Sequence, residues 1–347
     1  MTAGGAQAKD FRTLPDLASR SLGGSVVYAN DELFAEKENL IKPGPAAFDP
    51  ASYGPKGKVY DGWETRRRRD SGHDHATVRL GAPGVVHAVV VDTAHFRGNY
   101  PPQVSVEAAR ADGYPSPAEL AGLAWHPLVP KSGAAGDTAN VYPVSDRRRW
   151  SHVRLSIYPD GGVARLRVLG EVMADPAFLT GTVDLAALEN GAEVTGWSDA
   201  FFSPPPNLIM PGRAAGMSDG WENARRRGPG NDYVVIRLAG AGIIKHVEVD
   251  TSCFVGNAPG WVRLSAADGQ QQPGEDGGEE LRWREVLAET RVQPDTRHRF
   301  LLAEPRPASH VRLDVIPDGG LARLRVHGEL TDGALAALNQ RWQQTAG

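Results

Sequence analysis

Apolar positions along the chain fall in short runs, and most of the runs alternate with polar positions. ATVRL (76–80) and QVSVEAA (103–109) have a period of two, which turns every second side chain toward a core and predicts β-strands. VVHAVVVD (85–92) is a nearly continuous apolar run and predicts another strand. HVRLSIYPDGGVARLRVLGEV (152–172) predicts a hairpin, two alternating strands around Pro159-Asp160-Gly161-Gly162, where proline and glycine supply turn dihedrals. Helical patterns are few. DLAALENG (184–191) opens on a candidate N-cap, Asp184, and closes on Gly191, and TDGALAALNQRWQQ (331–344) predicts a C-terminal helix. Valine-rich strands punctuated by 40 glycines and 26 prolines, with no helices between them, favour an antiparallel sandwich or jelly roll.

The pattern is written twice. Trp63 of DGWETRRRR recurs as Trp221 of DGWENARRR, an offset of 158 (221 − 63), and the same offset relates VDTAHFRGN at Val91 to VDTSCFVGN at Val249. SHVRLSIYPDGGVARLRVLGE from Ser151 returns as SHVRLDVIPDGGLARLRVHGE from Ser309. Upstream, Asn39-Leu40-Ile41 matches Asn207-Leu208-Ile209 at an offset of 168 (207 − 39), so the first copy carries ten extra residues (168 − 158) near FDPASYGPKGK. A period this long marks duplicated domains, since solenoid repeats run to about 20–50 residues. The expected organisation is an N-terminal extension (1–24), a first β-sandwich (25–174), a linker with a short helix (175–191), a second β-sandwich (192–331) and a C-terminal helix and tail (332–347).

Composition narrows the function classes. Lys plus Arg total 38 against 42 Asp plus Glu among 347 residues, a formal charge of −4, which argues against grasping nucleic acid by bulk charge. The single cysteine, Cys253, excludes an intramolecular disulfide and a cysteine-only metal site, and fits a reducing compartment. No segment reads as a signal peptide or a membrane span, so the expectation is a soluble cytoplasmic protein.

The doubled motifs hold the candidate chemistry. In VDTAHFRGN, Asp92, His95, Arg97 and Asn99 gather on a loop at the end of a strand, where a rigid sheet can hold binding groups. Asp92 and Asn99 also suit Asx turns, and His95 also reads as a solvated loop histidine. The second copy keeps Asp250 and Asn257 but has Cys253 for His95 and Val255 for Arg97. The frame therefore survives without the histidine, which points to chemistry in the first copy alone. In DGWETRRRR an extended backbone puts Glu64, Arg66 and Arg68 on one face and Trp63, Thr65, Arg67 and Arg69 on the other. Arginine suits a small carboxylate through two parallel hydrogen bonds, and a solvated or ion-paired face is the alternative. Glu222 repeats Glu64. His73 and His75 have a chelating spacing, yet only Asp74 between them recurs, as Asp232, so no metal site is assigned. The two PDGG turns, with Asp160 and Asp318, are assigned to structure.

Taken together, DGWETRRRR and DGWENARRRGPGND, VDTAHFRGN and VDTSCFVGN, the doubled SHVRL…RVLGE block and the segments WHPLVPKSGAAGDTANVYPV (125–144) and WREVLAETRVQPDTRHRFLL (283–302) resemble the allantoicase family. The resemblance spans about residues 25 to 330 and implies an all-β fold of two tandem jelly-roll, galactose-binding-like β-sandwich domains with a few short peripheral helices. It implies a cytoplasmic homo-oligomer that hydrolyses allantoate to (S)-ureidoglycolate and urea, with no cofactor. On that reading His95, Asp92 and Glu64 carry the catalysis. Arg66, Arg67, Arg68, Arg97 and Asn99 bind substrate, together with Asp250, Asn257 and Glu222 of the second copy. The competing readings are a non-catalytic tandem ligand-binding protein and a related enzyme acting on ureidoglycolate.

Overall fold

One strand of 19 residues, β2 (Asp74–Asp92), organises the first half of the chain, and it merges the two separate strands that the pattern predicts at 76–80 and 85–92. The computed structural model describes residues 11–269 and 281–346. The chain divides into two compact units between Met173 and Ala174. In the first unit, β1 (Ser25–Ala29), β2, β3 (Gln103–Ala109), β4 (His126–Gly133), β5 (Ala139–Pro143), β6 (Arg149–Tyr158) and β7 (Arg165–Val172) form a jelly-roll sandwich. The early part of β2 joins a layer ordered β1-β2-β6-β3-β4, while its later part joins β5 and β7 in the other layer. Its register with β6 slips between Arg79 and Gly84, where β2 passes from one layer to the other. All pairings are antiparallel.

The second unit repeats every strand: β8 (Glu193–Trp197), β9 (Asp232–Asp250), β10 (Trp261–Ala267), β11 (Arg284–Arg291), β12 (Arg297–Leu301), β13 (Pro307–Ile316) and β14 (Arg323–Leu330). Six of these pairs keep the offset of 158, and β1 and β8 keep the offset of 168 on the far side of the ten-residue insertion. The alternation buries Val89, Val91, Leu155, Ile157 and Leu166 in one sandwich and Val247, Val249, Leu313, Val315 and Leu324 in the other, each fully excluded from solvent. Trp63 and Trp221 are also fully buried, and each indole N–H donates to a backbone carbonyl, of Asp31 and Asp199 respectively, at 2.8 Å. That satisfies the one polar atom a tryptophan brings inside.

The predicted hairpin over 152–172 does not form. Strands β6 and β7 lie in opposite layers and both pair with β2, so the PDGG turn carries the chain across the sandwich. Alternation fixes which face of a strand meets the core, not which neighbour it pairs with. After the turn, Gly162-Val163 pairs with Trp63-Glu64. A side chain at Gly162 is impossible without rearrangement: a Cβ there would lie 2.0 Å from Phe96, and Gly320 and Phe254 stand in the same relation. The close approach presses the loop after β2 against the DGWE segment.

Segment 184–191 also departs from its predicted helix. Val183-Asp184 pairs with β14, and only Leu188–Asn190 makes a 3-10 turn, closed by Gly191 at φ +99°. The Asp184 carboxylate accepts from the amides of Ala186 and Val326, so it ties a sheet edge instead of capping an α-helix. Asp332–Gln344 is helical. Of the expected N-terminal extension, 1–10 lie outside the described residues, and Leu17 is fully buried against the sandwich, with its amide bonded to the Val168 carbonyl at 2.8 Å.

Candidate functional site

The loop that follows β2 is built by local hydrogen bonds that the second unit reproduces. Asp92 Oδ1 accepts from the Ala94 amide at 2.8 Å, and Asp250 Oδ1 from the Ser252 amide at 2.9 Å. The buried Thr93 and Thr251 hydroxyls donate to carbonyls of the segments that lead into β5 and β12, of Ala135 and Thr138 in one case and Gln293 and Thr296 in the other. His95 and Cys253 both adopt the left-handed backbone region, at φ +69° and +71°. Their amides both donate to an aspartate at 2.8 Å, Asp137 and Asp295. Asp137-Thr138 and Asp295-Thr296 are themselves a doubled motif at the offset of 158, the signal in the sequence that marks this aspartate as part of the frame.

What differs is the partner of the side chain. The His95 ring places Nε2 3.2 Å from the Ala46 carbonyl and stacks on Phe48 with ring centroids 5.3 Å apart. Phe48 in turn stacks on Tyr60 (5.3 Å), and Tyr60 on Phe96 (4.8 Å). Phe48 belongs to FDPASYGPKGK, the stretch that gives the first repeat its ten extra residues. The histidine and the insertion are thus two halves of one feature, and the second repeat lacks both. His95 bonds to neither Asp92 nor Glu64, so the insertion, not an acid, orients its ring.

Glu64 and Asn99 do meet. Asn99 Nδ2 donates to Glu64 Oε1 at 2.6 Å, and the second repeat has the same contact, Asn257 Nδ2 to Glu222 Oε1, at 2.5 Å. Each asparagine is fixed by its own backbone, since the Gly162 and Gly320 amides donate to the Asn99 and Asn257 carbonyls at 2.7 Å. Glu64 is fixed by two backbone bonds to Ala35. Burial pushes the Glu64 carboxyl above its ordinary value of 4.5, against the lowering effect of the Asn99 bond. A carboxyl group held near an amide, with its affinity for protons raised, is suited to proton transfer.

The arginines separate into distinct roles. The expected alternation holds for buried Trp63 and Thr65 and then fails, because strand pairing stops at Glu64. Arg68 is an internal strut: its guanidinium pairs with Asp74 at 2.5 Å and Asp70 at 2.9 Å, and its amide donates to Asp160 at 2.8 Å. Asp74 is 1% exposed, and its partner in the second repeat, Asp232, is bound by Arg226. Arg66 is exposed and pairs with Asp31, Arg67 is exposed, and Arg97, with a side chain 81% exposed, pairs with Asp137 at 3.0 Å. Of these, only the exposed three have a guanidinium open to a ligand. His73 and His75 lie 6.1 Å apart while Asp74 between them points to the opposite face, and among the described residues no three metal-ligating side chains converge.

The allantoicase repeat, a sequence family of that description, matches residues 15–173 and again 183–331. The chain belongs to the allantoicase family. It is 50% identical to the probable allantoicase of Streptomyces coelicolor, over 99% of this chain and 95% of that one. The probable allantoicase of Nocardia farcinica is 55% identical over 93% of this chain and 96% of its own length. The Saccharomyces cerevisiae allantoicase crystal structure superposes with a TM-score of 0.78 at 33% identity, covering 92% of this chain and 96% of the yeast chain. Family membership thus extends across both repeats, including the one that lacks the histidine.

Proposed function

We propose that the chain is an allantoicase, a hydrolase acting on a linear amidine, which converts allantoate to (S)-ureidoglycolate and urea. The observation that carries this reading is family membership over both repeats, joined to an acid–amide pair present in each. Allantoate has one carbon bearing a carboxylate and two ureido groups. An exposed arginine, Arg66, Arg67 or Arg97, anchors the carboxylate. Asn99 keeps Oδ1 to accept a ureido N–H, because its Nδ2 is occupied by Glu64.

The remaining ureido nitrogen pushes its electron pair toward the central carbon as the C–N bond to the departing urea breaks. Glu64 and His95 divide the proton transfers: one protonates the leaving nitrogen, and the other takes a proton from the water that adds to the same carbon. With Nε2–H directed at the Ala46 carbonyl, a neutral His95 keeps a lone pair on Nδ1 for the base role. Asp92 supports the loop through its bond to Ala94 instead of orienting the histidine. In the second repeat Glu222, Asn257 and Asp250 hold the same frame without an imidazole, which supports reading the first repeat as the one that carries the full reaction. The family resemblance also supports a homo-oligomer working in the cytoplasm of an allantoin-degrading cell. Among the described residues no helix is long and apolar enough to cross a membrane.

The test is to incubate purified, EDTA-treated protein with allantoate and follow products by NMR. Urea and ureidoglycolate in equal amounts are expected. No turnover, and none after divalent metals are restored, would overturn the reading in favour of a ligand-binding module.

A further inference from the structure

The two repeats also differ in chemistry on the non-core face of the five-stranded layer. In the second unit that face is closed by a carboxylate of its own. Asp314, 1% exposed, accepts from Arg312 Nη2 at 2.8 Å and from Asn231 Nδ2 at 2.8 Å, and lies 3.6 Å from Arg263 Nε. The Arg312 guanidinium also lies 4.0 Å over the Tyr233 ring. A buried carboxylate survives only when it is surrounded by donors in this way.

The first unit has the same sheet with the carboxylate removed. At the offset of 158, Asp314 becomes Ser156, Arg263 becomes Ser105, Asn231 becomes His73 and Tyr233 becomes His75. Arg154, the counterpart of Arg312, turns instead to Glu107, to which it donates from Nε at 3.1 Å and Nη2 at 2.7 Å. Left between these groups is a cleft of about 710 Å³, within the range of roughly 300–1,000 Å³ common for small-molecule sites. Lys131 also lines it, its ammonium lying 4.1 Å over the Tyr158 ring, while Arg68 stands in the wall as the strut held by Asp74 and Asp70, and Glu107 is the one acid of the lining. Burial, with Arg68 near His73 and Arg154 near His75, holds both imidazoles below their ordinary value, and neutral rings there still offer N–H donors.

We infer that the first repeat binds a small organic carboxylate in this cleft, with its carboxyl group over Ser156 in the place that Asp314 fills in the second repeat. The second repeat is its own control: it shows which charge this arrangement of strands accepts. Allantoate and ureidoglycolate are themselves small carboxylates, and so are many other cellular acids. The inference rests on the sheet and does not require the end-loop chemistry.

Hydantoate, a ureido acid, and its neutral amide are the probes, titrated into the full-length protein while the His73 and His75 ring resonances are followed by NMR. Saturable shifts with hydantoate, and at least tenfold weaker binding of the amide, are expected. Ser156→Asp, which supplies the second repeat's carboxylate, should weaken hydantoate binding at these rings at least tenfold, and Glu64→Gln should leave it unchanged. Acid and amide binding alike, or unaltered affinity in Ser156→Asp, would overturn the inference. Should Ser156→Asp lose its folded melting transition, Arg154→Gln decides by the same criterion. Turnover of allantoate identifies the ligand. Lost together with binding, it makes the cleft the substrate's site; retained, it makes the cleft the site of a separate acid. Wild-type protein inactive on allantoate would refute the proposed function and leave the titration readable.

Discussion

Glu64 and Asn99 are joined by a 2.6 Å hydrogen bond from amide to carboxylate, and Glu222 and Asn257 repeat it at 2.5 Å in a loop that carries cysteine in place of the histidine. The acid–amide pair therefore belongs to the frame that both repeats share. His95 belongs to the first repeat alone, as does the insertion whose Phe48 stacks on its ring.

Glu64→Gln keeps the hydrogen bond from Asn99, since a carboxamide oxygen also accepts, and removes the titrating group. We expect kcat on allantoate to fall roughly 10²–10⁴-fold, the usual span for losing a general acid or base. Glu222→Gln should cost far less. Urea release measured for the two variants side by side checks the assignment, and equal losses would place the chemistry in both repeats.

Because burial raises the Glu64 carboxyl above 4.5, the ionised form is disfavoured by folding. Stability from this group is fully present below its unfolded value and is lost as pH rises through the higher folded value. Glu64→Gln should thus raise Tm at pH 7 relative to wild type and leave the difference near zero at pH 4. If the carboxylate serves as the base, the acid limb of kcat/KM lies above pH 4.5 and disappears in the variant. Thermal melts and a pH–rate profile measure both, and a Tm lowered at pH 7 contradicts the burial argument.

His95 occupies the left-handed region, which asparagine tolerates and alanine does not, so His95→Asn removes the ring with little backbone cost. A fall in kcat of roughly 10²–10⁴-fold with Tm within a few degrees of wild type is expected. Activity within a few-fold of wild type would reduce His95 to a tie for the insertion.

Phe48 and His95 stack at 5.3 Å. Phe48→Ala should lower kcat less than His95→Asn, and the double variant should be no worse than His95→Asn alone. Such non-additivity, on the order of 0.5–3 kcal/mol for residues in contact, shows that Phe48 acts through the histidine. Additive losses would show that it acts by another route.

The arginines should separate by readout. Arg68→Ala breaks a pair whose carboxylate, on Asp74, is 1% exposed, and should destabilise the fold by about 3–5 kcal/mol. Arg97→Ala removes an ion pair in which the arginine is 81% exposed, and a pair so open to solvent adds little to stability. If Arg97 anchors the substrate carboxylate, its loss raises KM at least tenfold with Tm unchanged. Denaturant melts and steady-state kinetics on both variants, with Arg66→Ala and Arg67→Ala alongside, identify the anchor.

By itself the sequence determined the duplication, the β-sandwich class and the faces that several strands turn to the core, because a period of two and an offset of 158 are properties of the chain that any packing must respect. It also carried the family resemblance and named Glu64 and Asn99, though not their contact. Only the tertiary structure decided that β6 and β7 part into opposite layers, since alternation cannot choose a strand's partner. It decided that Asp92 caps a turn, that Arg68 is a strut, and that Asp184 ties a sheet edge and starts no α-helix. And it showed why His95 stands opposite Cys253: the imidazole rests on Phe48 and Ala46, residues far from it in sequence, and a side chain's partner across 49 positions is set by where the sheets fold the chain back.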